Sequence, residues 1–436
     1  MTEAGAVVGA AKETAVFLSH FKDLPDYRQK GKVAYPLEEV LLLMLAAALA
    51  GAETVADIAR FGRAKLSFLQ RFRLFENGTP SHDQLGIILA KLDPVAFQRC
   101  FVAWTSALTK TSAEVIAIDG KTVRRSYQRK GAQQPIHVVS AFAARQRMVL
   151  GQMKVGDKSN EIVAIPALLE LLAIEGAVVT IDAAGCQRKI AQTIIDKKAD
   201  YILALKGNQG TLRDDVELFA QEQKAVAFKN TSVSQDTTVD GDHGRIETRT
   251  VTVFHDIGWL QQNHQWPGLK SVVMVESERE TEGKVETETR FYITSLTLLA
   301  NAVGPMIRSH WMVENGLHWV LDMIFRDDEC RVRTDNAPFN LAIVKHIALN
   351  VLRTRKSKDS LRMRRKVAAW DARRLHRRMI PSVDSPAGTP QRAVISPLVA
   401  NLYLHPLDLL METAGRKMVR CADDCAPRRR EEEVLM

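Results

Sequence analysis

The stretch from residue 114 to residue 206 constrains the fold most. Three apolar, β-branched runs follow one another: Glu114-Val-Ile-Ala-Ile-Asp119, Ile136-His-Val-Val-Ser-Ala-Phe-Ala143 and Arg147-Met-Val-Leu-Gly-Gln-Met153. Runs of this length and composition, bounded by polar and turn-forming residues, predict strands. A helix is predicted from about Asn160 to Ile174, then a strand Ala177-Val-Val-Thr-Ile-Asp182, a helix through Lys198, and a strand Asp200-Tyr-Ile-Leu-Ala-Leu-Lys206. The order is βββαβαβ. Three consecutive strands predict a meander, and the two helical crossovers require the later strands to run parallel.

That order is the order of a ribonuclease-H-like fold, an α/β mixed sheet with helices on its faces. Before it, residues 1–110 read as a helical N-terminal domain. Leu37 to Ala50 is rich in Leu and Ala, Thr54 to Phe72 is amphipathic, and Ser81 can cap a helix through Leu89. Thr54-Val-Ala-Asp-Ile-Ala-Arg followed by Gly62 hints at a helix-turn-helix, although a glycine between helices is common in any helical bundle. The α/β domain itself is expected over 111–350, with a β-rich insertion at about 214–295. A long helix is predicted from Gly304 to Phe325, on which His310, Glu314 and His318 fall at i, i+4 and i+8 on one face.

Charge sharpens the division. The chain of 436 residues carries a formal +9, and the segment 351–378 holds twelve Lys or Arg against Asp359 and Asp371. Nearly all the net charge therefore sits in one basic segment, a footprint suited to a phosphate backbone; the alternative is a solvated helix face. The longest apolar run, Val40 to Ala50, falls short of the roughly 18 residues a membrane span needs. Met1 to Lys12 does not read as a signal peptide, so a cytoplasmic location is expected. Five scattered cysteines form neither a disulfide framework nor a zinc set.

Asp119 and Asp182 each end a predicted strand, and adjacent strand ends bring such carboxylates together at one sheet edge. With Glu314 on the late helix they supply the hard oxygen ligands of a two-metal phosphoryl-transfer site, whose ions stand about 4 Å apart. An Asp ending a strand is also an ordinary turn residue. The stripe His310, Glu314, His318 permits a transition-metal site instead, or histidines that simply pack and hydrogen-bond. Trp311 and Trp319 on the same helix are expected in the core, with base stacking as the other reading.

Seven words of the sequence resemble the DDE insertion-sequence transposases of the ISAs group, the H-repeat-associated proteins. They are Ala117-Ile-Asp-Gly-Lys-Thr-Val-Arg124, His137-Val-Val-Ser-Ala141, Lys158-Ser-Asn-Glu161, Thr180-Ile-Asp-Ala-Ala-Gly-Cys-Gln187, Leu203-Ala-Leu-Lys-Gly-Asn-Gln209, His243-Gly-Arg-Ile-Glu247, and Arg308-Ser-His-Trp-Met-Val-Glu-Asn315 with Leu317-His-Trp-Val-Leu-Asp322. The resemblance implies Asp119, Asp182 and Glu314 as catalytic, metal-binding triad and Mg²⁺ as cofactor, with Mn²⁺ able to substitute. It implies cleavage at transposon ends, strand transfer of the freed 3′-hydroxyl, and double-stranded DNA (terminal inverted repeats and target) as partner, bound by a homodimer on paired ends. Lys121, Lys206, Asn208, Arg245 and His310, in or beside these words, are the expected phosphate contacts. Where the wider superfamily has Tyr, Arg and Lys around its Glu, this chain has Ile307, His310 and Leu321. The other reading is a catalytically inactive DNA-binding remnant.

A second resemblance covers residues 379–436. Gly388-Thr-Pro-Gln391, Val394-Ile-Ser-Pro-Leu-Val-Ala-Asn-Leu-Tyr-Leu404 and Met418-Val-Arg-Cys-Ala-Asp-Asp424 look like the palm of group II intron reverse transcriptases, with Cys421 in place of a Tyr. Some 45 residues of palm cannot bury a polymerase core, so a non-functional, poorly ordered fragment is expected.

Overall fold

The computed structural model describes residues 17–109, 114–127, 134–156, 160–242, 245–281, 283–354, 357–372, 375, 416–421 and 424–429. The chain divides into two compact units, residues 10–381 and a small one formed by residues 1–9 with 382–436.

The large unit is built on one nine-stranded sheet. Its strands are β1 (Val115–Thr122), β2 (His137–Ala143), β3 (Met148–Lys154), β4 (Val178–Ile181), β5 (Asp200–Leu205), β6 (Val233–Asp242), β7 (Arg245–Phe254), β8 (Ser271–Thr281) and β9 (Lys284–Thr294). Their spatial order is β3-β2-β1-β4-β5-β9-β8-β7-β6. β1, β2 and β3 pair antiparallel as the expected meander, whereas β1, β4 and β5 are parallel neighbours. The β-rich insertion is not a separate body: β9 pairs antiparallel with β5, Ile202 opposite Thr294, and carries β8, β7 and β6 into the same sheet. β5 covers only Phe291 to Thr294 of β9, so the rest of the four long strands extends past β5 as an arm. β1 also differs from expectation. It runs three residues past Asp119, because Gly120, Lys121 and Thr122 keep pairing with Val139, Val138 and His137 of β2.

Helices cover both faces. Glu161–Leu171 and Arg188–Asp196, the crossovers, pack on one face with Tyr201, Leu203 and Trp266. The other face shares one hydrophobic cluster with the N-terminal helices Leu37–Leu49, Val55–Ala64, His82–Lys91 and Pro94–Leu108. Helix Ala337–Thr354 joins the two. It is buried from Ala337 to Leu352, and its two asparagines meet backbone rather than water. Asn340 Nδ2 donates to Leu89 O at 2.8 Å and Leu92 O at 2.9 Å, and Asn350 exchanges two bonds with Val149 of β3. Beneath it, Lys345 Nζ lies 2.5 Å from Asp327 Oδ1, both fully enclosed. The apolar run Val40 to Ala50 belongs to the buried Leu37–Leu49 helix. No helix among the described residues is long and apolar enough to cross a membrane.

Local chemistry explains where the helices begin. Thr54 and Asp57 form a capping box, as do Ser81 and Gln84, and Asp93 caps a helix whose first residue is Pro94. The helix-turn-helix hint fails at Gly62, which lies inside Val55–Ala64 rather than in a turn. Its role is close packing: a Cβ there would stand 2.8 Å from Thr79 Oγ1 and 3.1 Å from Leu43 Cδ1. Alanine normally improves a helix interior by about 1 kcal/mol over glycine. Gly62→Ala is instead expected to destabilise by about 1–2 kcal/mol through overpacking, read as a lowered Tm; a raised Tm would refute the packing role.

The basic segment is corrected in part. Arg365 is buried, stacks 4.2 Å over Phe325 and donates to the carbonyls of Ala48 at 3.1 Å, Ala52 at 3.0 Å and Ile324. Arg364 donates to the carbonyls of Leu352, Ser357 and Asp359, and Arg353 to those of Arg147 and Gly316. These cations staple helices together rather than facing a phosphate backbone.

In the small unit, β10 (Arg416–Cys421) and β11 (Asp424–Arg429) pair as an antiparallel hairpin. The remainder of the palm-like stretch, on which the expectation of poor order falls, lies outside the described residues.

Candidate active site

The parallel register of β1 and β4 sets Ile118 beside Ile181, so the residues that follow, Asp119 and Asp182, lie side by side. Asp182 also keeps its turn role: its Oδ1 accepts the backbone N–H groups of Ala184 at 3.1 Å and Gly185 at 3.3 Å. Oδ2 has no protein partner among the described residues.

The third acid arrives on an irregular helix. The expected Gly304–Phe325 helix keeps helical backbone angles throughout but is uneven: Ala300–Ser309, His310 still in the α region, one turn over Trp311–Val313, a π-helical turn Glu314–His318, and Trp319–Ile324. The π turn frees a carbonyl, and the Arg353 guanidinium takes that of Gly316. Gly316 itself lies on Phe142, where a Cβ would be 3.1 Å from the ring. These anchors place Glu314 and His318 over β1. Donor atoms of Asp119, Glu314 and His318 all lie within 4.8 Å of one another, and His318 Nδ1 is 3.4 Å from Asp119 Oδ2. Asp182 stands outside that trio but lines the same cavity of about 450 Å³ with Asp119 and Glu314. His310 leaves the stripe, its Nδ1 3.1 Å from Thr180 Oγ1.

Charge is uncompensated here. Burial, reinforced by Asp182, Glu161 and Glu314, pushes the Asp119 carboxyl up to about 7, against a lowering by the Gly120 N–H. Burial pulls His318 down to about 4, helped by Lys121 and His137, so its ring is neutral and free to accept. A carboxyl raised in the folded state stabilises fully below about pH 4 and loses that contribution as pH rises through about 7. Asp119→Asn removes the penalty. The variant is expected to unfold with on the order of 3 kcal/mol more difficulty than the metal-free wild type at pH 8, and equally at pH 4. Urea titrations at both values check this; equal midpoints at pH 8 would refute it.

Two groups beside the site were not singled out in the sequence as functional. Glu161 Oε1 lies 2.5 Å from His137 Nε2, whose Nδ1 is 2.9 Å from Thr122 Oγ1. This pair occupies the space over Gly120, where a Cβ would come within 2.0 Å of Glu161 Oε1. The signal was present, because both residues stand inside motif words, but nothing in the spacing shows that they meet.

The five expected phosphate contacts scatter. Lys206 lines the cavity, is exposed and has no ion-pair partner among the described residues, and His310 forms part of the same wall. Lys121 is enclosed by acids, 2.6 Å from Asp322 and 3.7 Å from Asp328. Asn208 Nδ2 donates to Ala183 O at 2.7 Å, tying the loop after β5 to the turn holding Asp182. Arg245 begins β7 at the outer end of the arm, paired with Glu247 at 2.7 Å. Trp311 and Trp319 are not core residues: they are 49% and 56% exposed. Each lies on the outward side of a segment whose inward side carries Val313, Leu317 and Val320.

With this geometry in place, residues 110–351 match the family model described as "Transposase DDE domain", and residues 18–105 match the one described as "DDE_Tnp_1-associated". The chain belongs to the DDE transposase domain family. Among relatives of this family member, "H repeat-associated putative transposase YhhI" of Escherichia coli (strain K12) is 38% identical over 367 residues, covering 82% of this chain and 96% of that protein. "Putative transposase YncI" of Escherichia coli O157:H7 is 38% identical over 358 residues, covering 81% and 91%. A protein in the dhlA 3′ region of Xanthobacter autotrophicus is 42% identical over 281 residues, covering 64% and 93%. The DDE segment contains Asp119, Asp182 and Glu314 together with Glu161, His137 and His318, and it ends at residue 351, where the basic segment begins.

Proposed function

We propose that this chain is an active DDE transposase of the ISAs group that cuts DNA at transposon ends and joins the freed end to target DNA. The observation that carries the reading is the convergence of Asp119, Asp182 and Glu314 on one cavity in a transposase-domain chain. In this reading the β3-β2-β1-β4-β5 half of the sheet is a ribonuclease-H-like catalytic core, and residues 379–436 are a palm fragment without polymerase function.

The donor chemistry fits divalent metal. Burial, with the neighbouring carboxylates adding to it, raises the Asp119 carboxyl; a cation among these acids would offset that cost, and oxygen donors suit Mg²⁺ or Mn²⁺. Asp119, Asp182 and Glu314 would hold the ions, with neutral His318 beside them. When bound, the ions activate the attacking oxygen and neutralise charge on the phosphate. Asp182, its Oδ1 fixed by two backbone N–H groups, keeps Oδ2 for this task. Lys206 at the cavity supplies a cation for a non-bridging phosphate oxygen. Water attacks phosphorus and the P–O3′ bond breaks, leaving a 3′-hydroxyl and a 5′-phosphate; that hydroxyl then displaces a 3′-oxygen in the target strand. A dimer on paired ends would deliver both cuts.

The test is incubation of the purified chain with duplex DNA carrying the sequences that flank its gene, with Mg²⁺, Mn²⁺ or chelator. Metal-dependent nicks at the element boundary are expected. Binding without any nick would make the chain an end-binding remnant.

A further inference from the structure

The late helix meets β1 rung by rung. Asp119 and Lys121 are alternate residues of β1 and share one face of the sheet. His318 and Asp322, four residues apart, meet them in the same order: His318 Nδ1 is 3.4 Å from Asp119 Oδ2, and Lys121 Nζ donates to Asp322 Oδ2 at 2.6 Å. Two residues of a strand span about 6.6 Å and four of a helix about 6.0 Å, so the two rungs match. The second rung is the tighter. The Lys121 side chain is only 13% exposed and makes the one hydrogen bond that Asp322 receives among the described residues, because Asp322 Oδ1 is buried without a partner. Lys121 also stands 3.7 Å from Asp328, in the turn that follows the helix. A charge-assisted hydrogen bond is short and directional, whereas an apolar contact such as Gly316 on the Phe142 ring tolerates sliding.

We propose that Lys121 is a positioning residue for the acid cluster: by gripping Asp322 it fixes the register of the late helix on β1 and so holds Glu314 beside Asp119. The proposal rests on the transposase reading and gives that site a part that contacts neither DNA nor metal. A helix slid by one residue moves Glu314 by about 1.5 Å, and a misplacement of about 1 Å at a reacting group costs on the order of a hundredfold in rate. The phosphate contact expected of Lys121 from the sequence makes the opposite forecast for its partner. Neutralising Asp322 would then release the ammonium to DNA and strengthen binding, whereas in the positioning role it loosens the acid cluster.

The test compares the full chain with Lys121→Met, Asp322→Asn, the double variant and Lys121→Arg. Mn²⁺ binding is read by electron paramagnetic resonance with and without end DNA, beside single-turnover cleavage and duplex binding by fluorescence anisotropy. Each of the first two variants is expected to weaken Mn²⁺ binding about tenfold and cleavage about a hundredfold, leaving duplex binding within about twofold. The double variant is expected to lose no more than either single one, since the same pair is broken in all three. Lys121→Arg keeps the charge and is expected to recover most of the cleavage. Melting curves identify a variant that fails to fold; in that case Asp322→Asn, which keeps the shape of its side chain, carries the test. Weaker duplex binding with a flatter salt dependence in Lys121→Met, and stronger binding in Asp322→Asn, makes Lys121 a phosphate contact and overturns the proposal. A lowered Tm with unchanged Mn²⁺ affinity and cleavage marks a pair that only supports the fold and overturns it as well, as do losses that add in the double variant. Wild type that holds Mn²⁺ with an affinity dependent on this pair but cuts no DNA overturns the transposase reading and leaves the positioning role standing. Wild type that holds no Mn²⁺ overturns both.

Discussion

Glu314→Gln is expected to retain DNA-end binding within about twofold and to lower cleavage by at least about a thousandfold. The substitution keeps the shape of the side chain, removes the charge and leaves the π turn anchored by Arg353. Glu314 is the one acid of the proposed set that comes from outside the sheet, so no neighbouring strand can replace it. Losses of this size are expected when one member of a charge-stabilising set is removed and the set acts as a unit. Single-turnover cleavage of end-containing duplex, beside a gel-shift measurement of binding, checks it. Cleavage at the wild-type rate would remove Glu314 from the catalytic set, and loss of binding as well would mark it as a structural residue.

The largest stability effect is expected at Lys345. Its ammonium and the Asp327 carboxylate are both enclosed; burial opposes either charge, but each holds the other ionised, with Asp327 below and Lys345 above the ordinary range. Lys345→Met strands a buried carboxylate and should cost about 3–5 kcal/mol. Adding Asp327→Leu removes the stranded charge, so the double variant should recover much of that loss. Urea midpoints of wild type, single and double variants measure both. A double variant that loses the sum of the single effects would show that the two side chains act independently.

The sheet was legible because β-branched runs of four to eight residues, broken by polar turns, leave few alternatives. The run Ala177 to Asp182 reads as one strand and is one, save for its first and last residues. The N-terminal helices were legible from their caps, Thr54 and Ser81. The π turn in the late helix was not. Its Gly316 carbonyl accepts from Arg353, 37 residues on, and 3.6-residue periodicity contains no trace of such a bond. Tryptophans 311 and 319 were misplaced because periodicity groups residues on a face without saying which face meets the core. Counting charge likewise could not separate Arg362, which meets solvent, from Arg365, whose partners Ala48 and Ala52 lie more than 300 residues earlier. Of the candidate site, the side-by-side placement of Asp119 and Asp182 followed from strand order; the approach of Glu161 to His137 depends on a missing Cβ at Gly120.

The buried helix Ala337–Thr354 sets a timetable for synthesis. Asn340 closes on Leu89 from 251 residues away, and Asn350 on Val149 from 201. At roughly 5–20 residues per second, the N-terminal helices emerge from the ribosome some 12–50 s before the segment that covers them. During that interval Leu41 and Leu45 lack Val344 and Ile347, beside which they lie in the folded chain, and early termination leaves that side uncovered. Chains that stop before about residue 354 are therefore expected to be substrates for chaperones and proteases rather than small stable products.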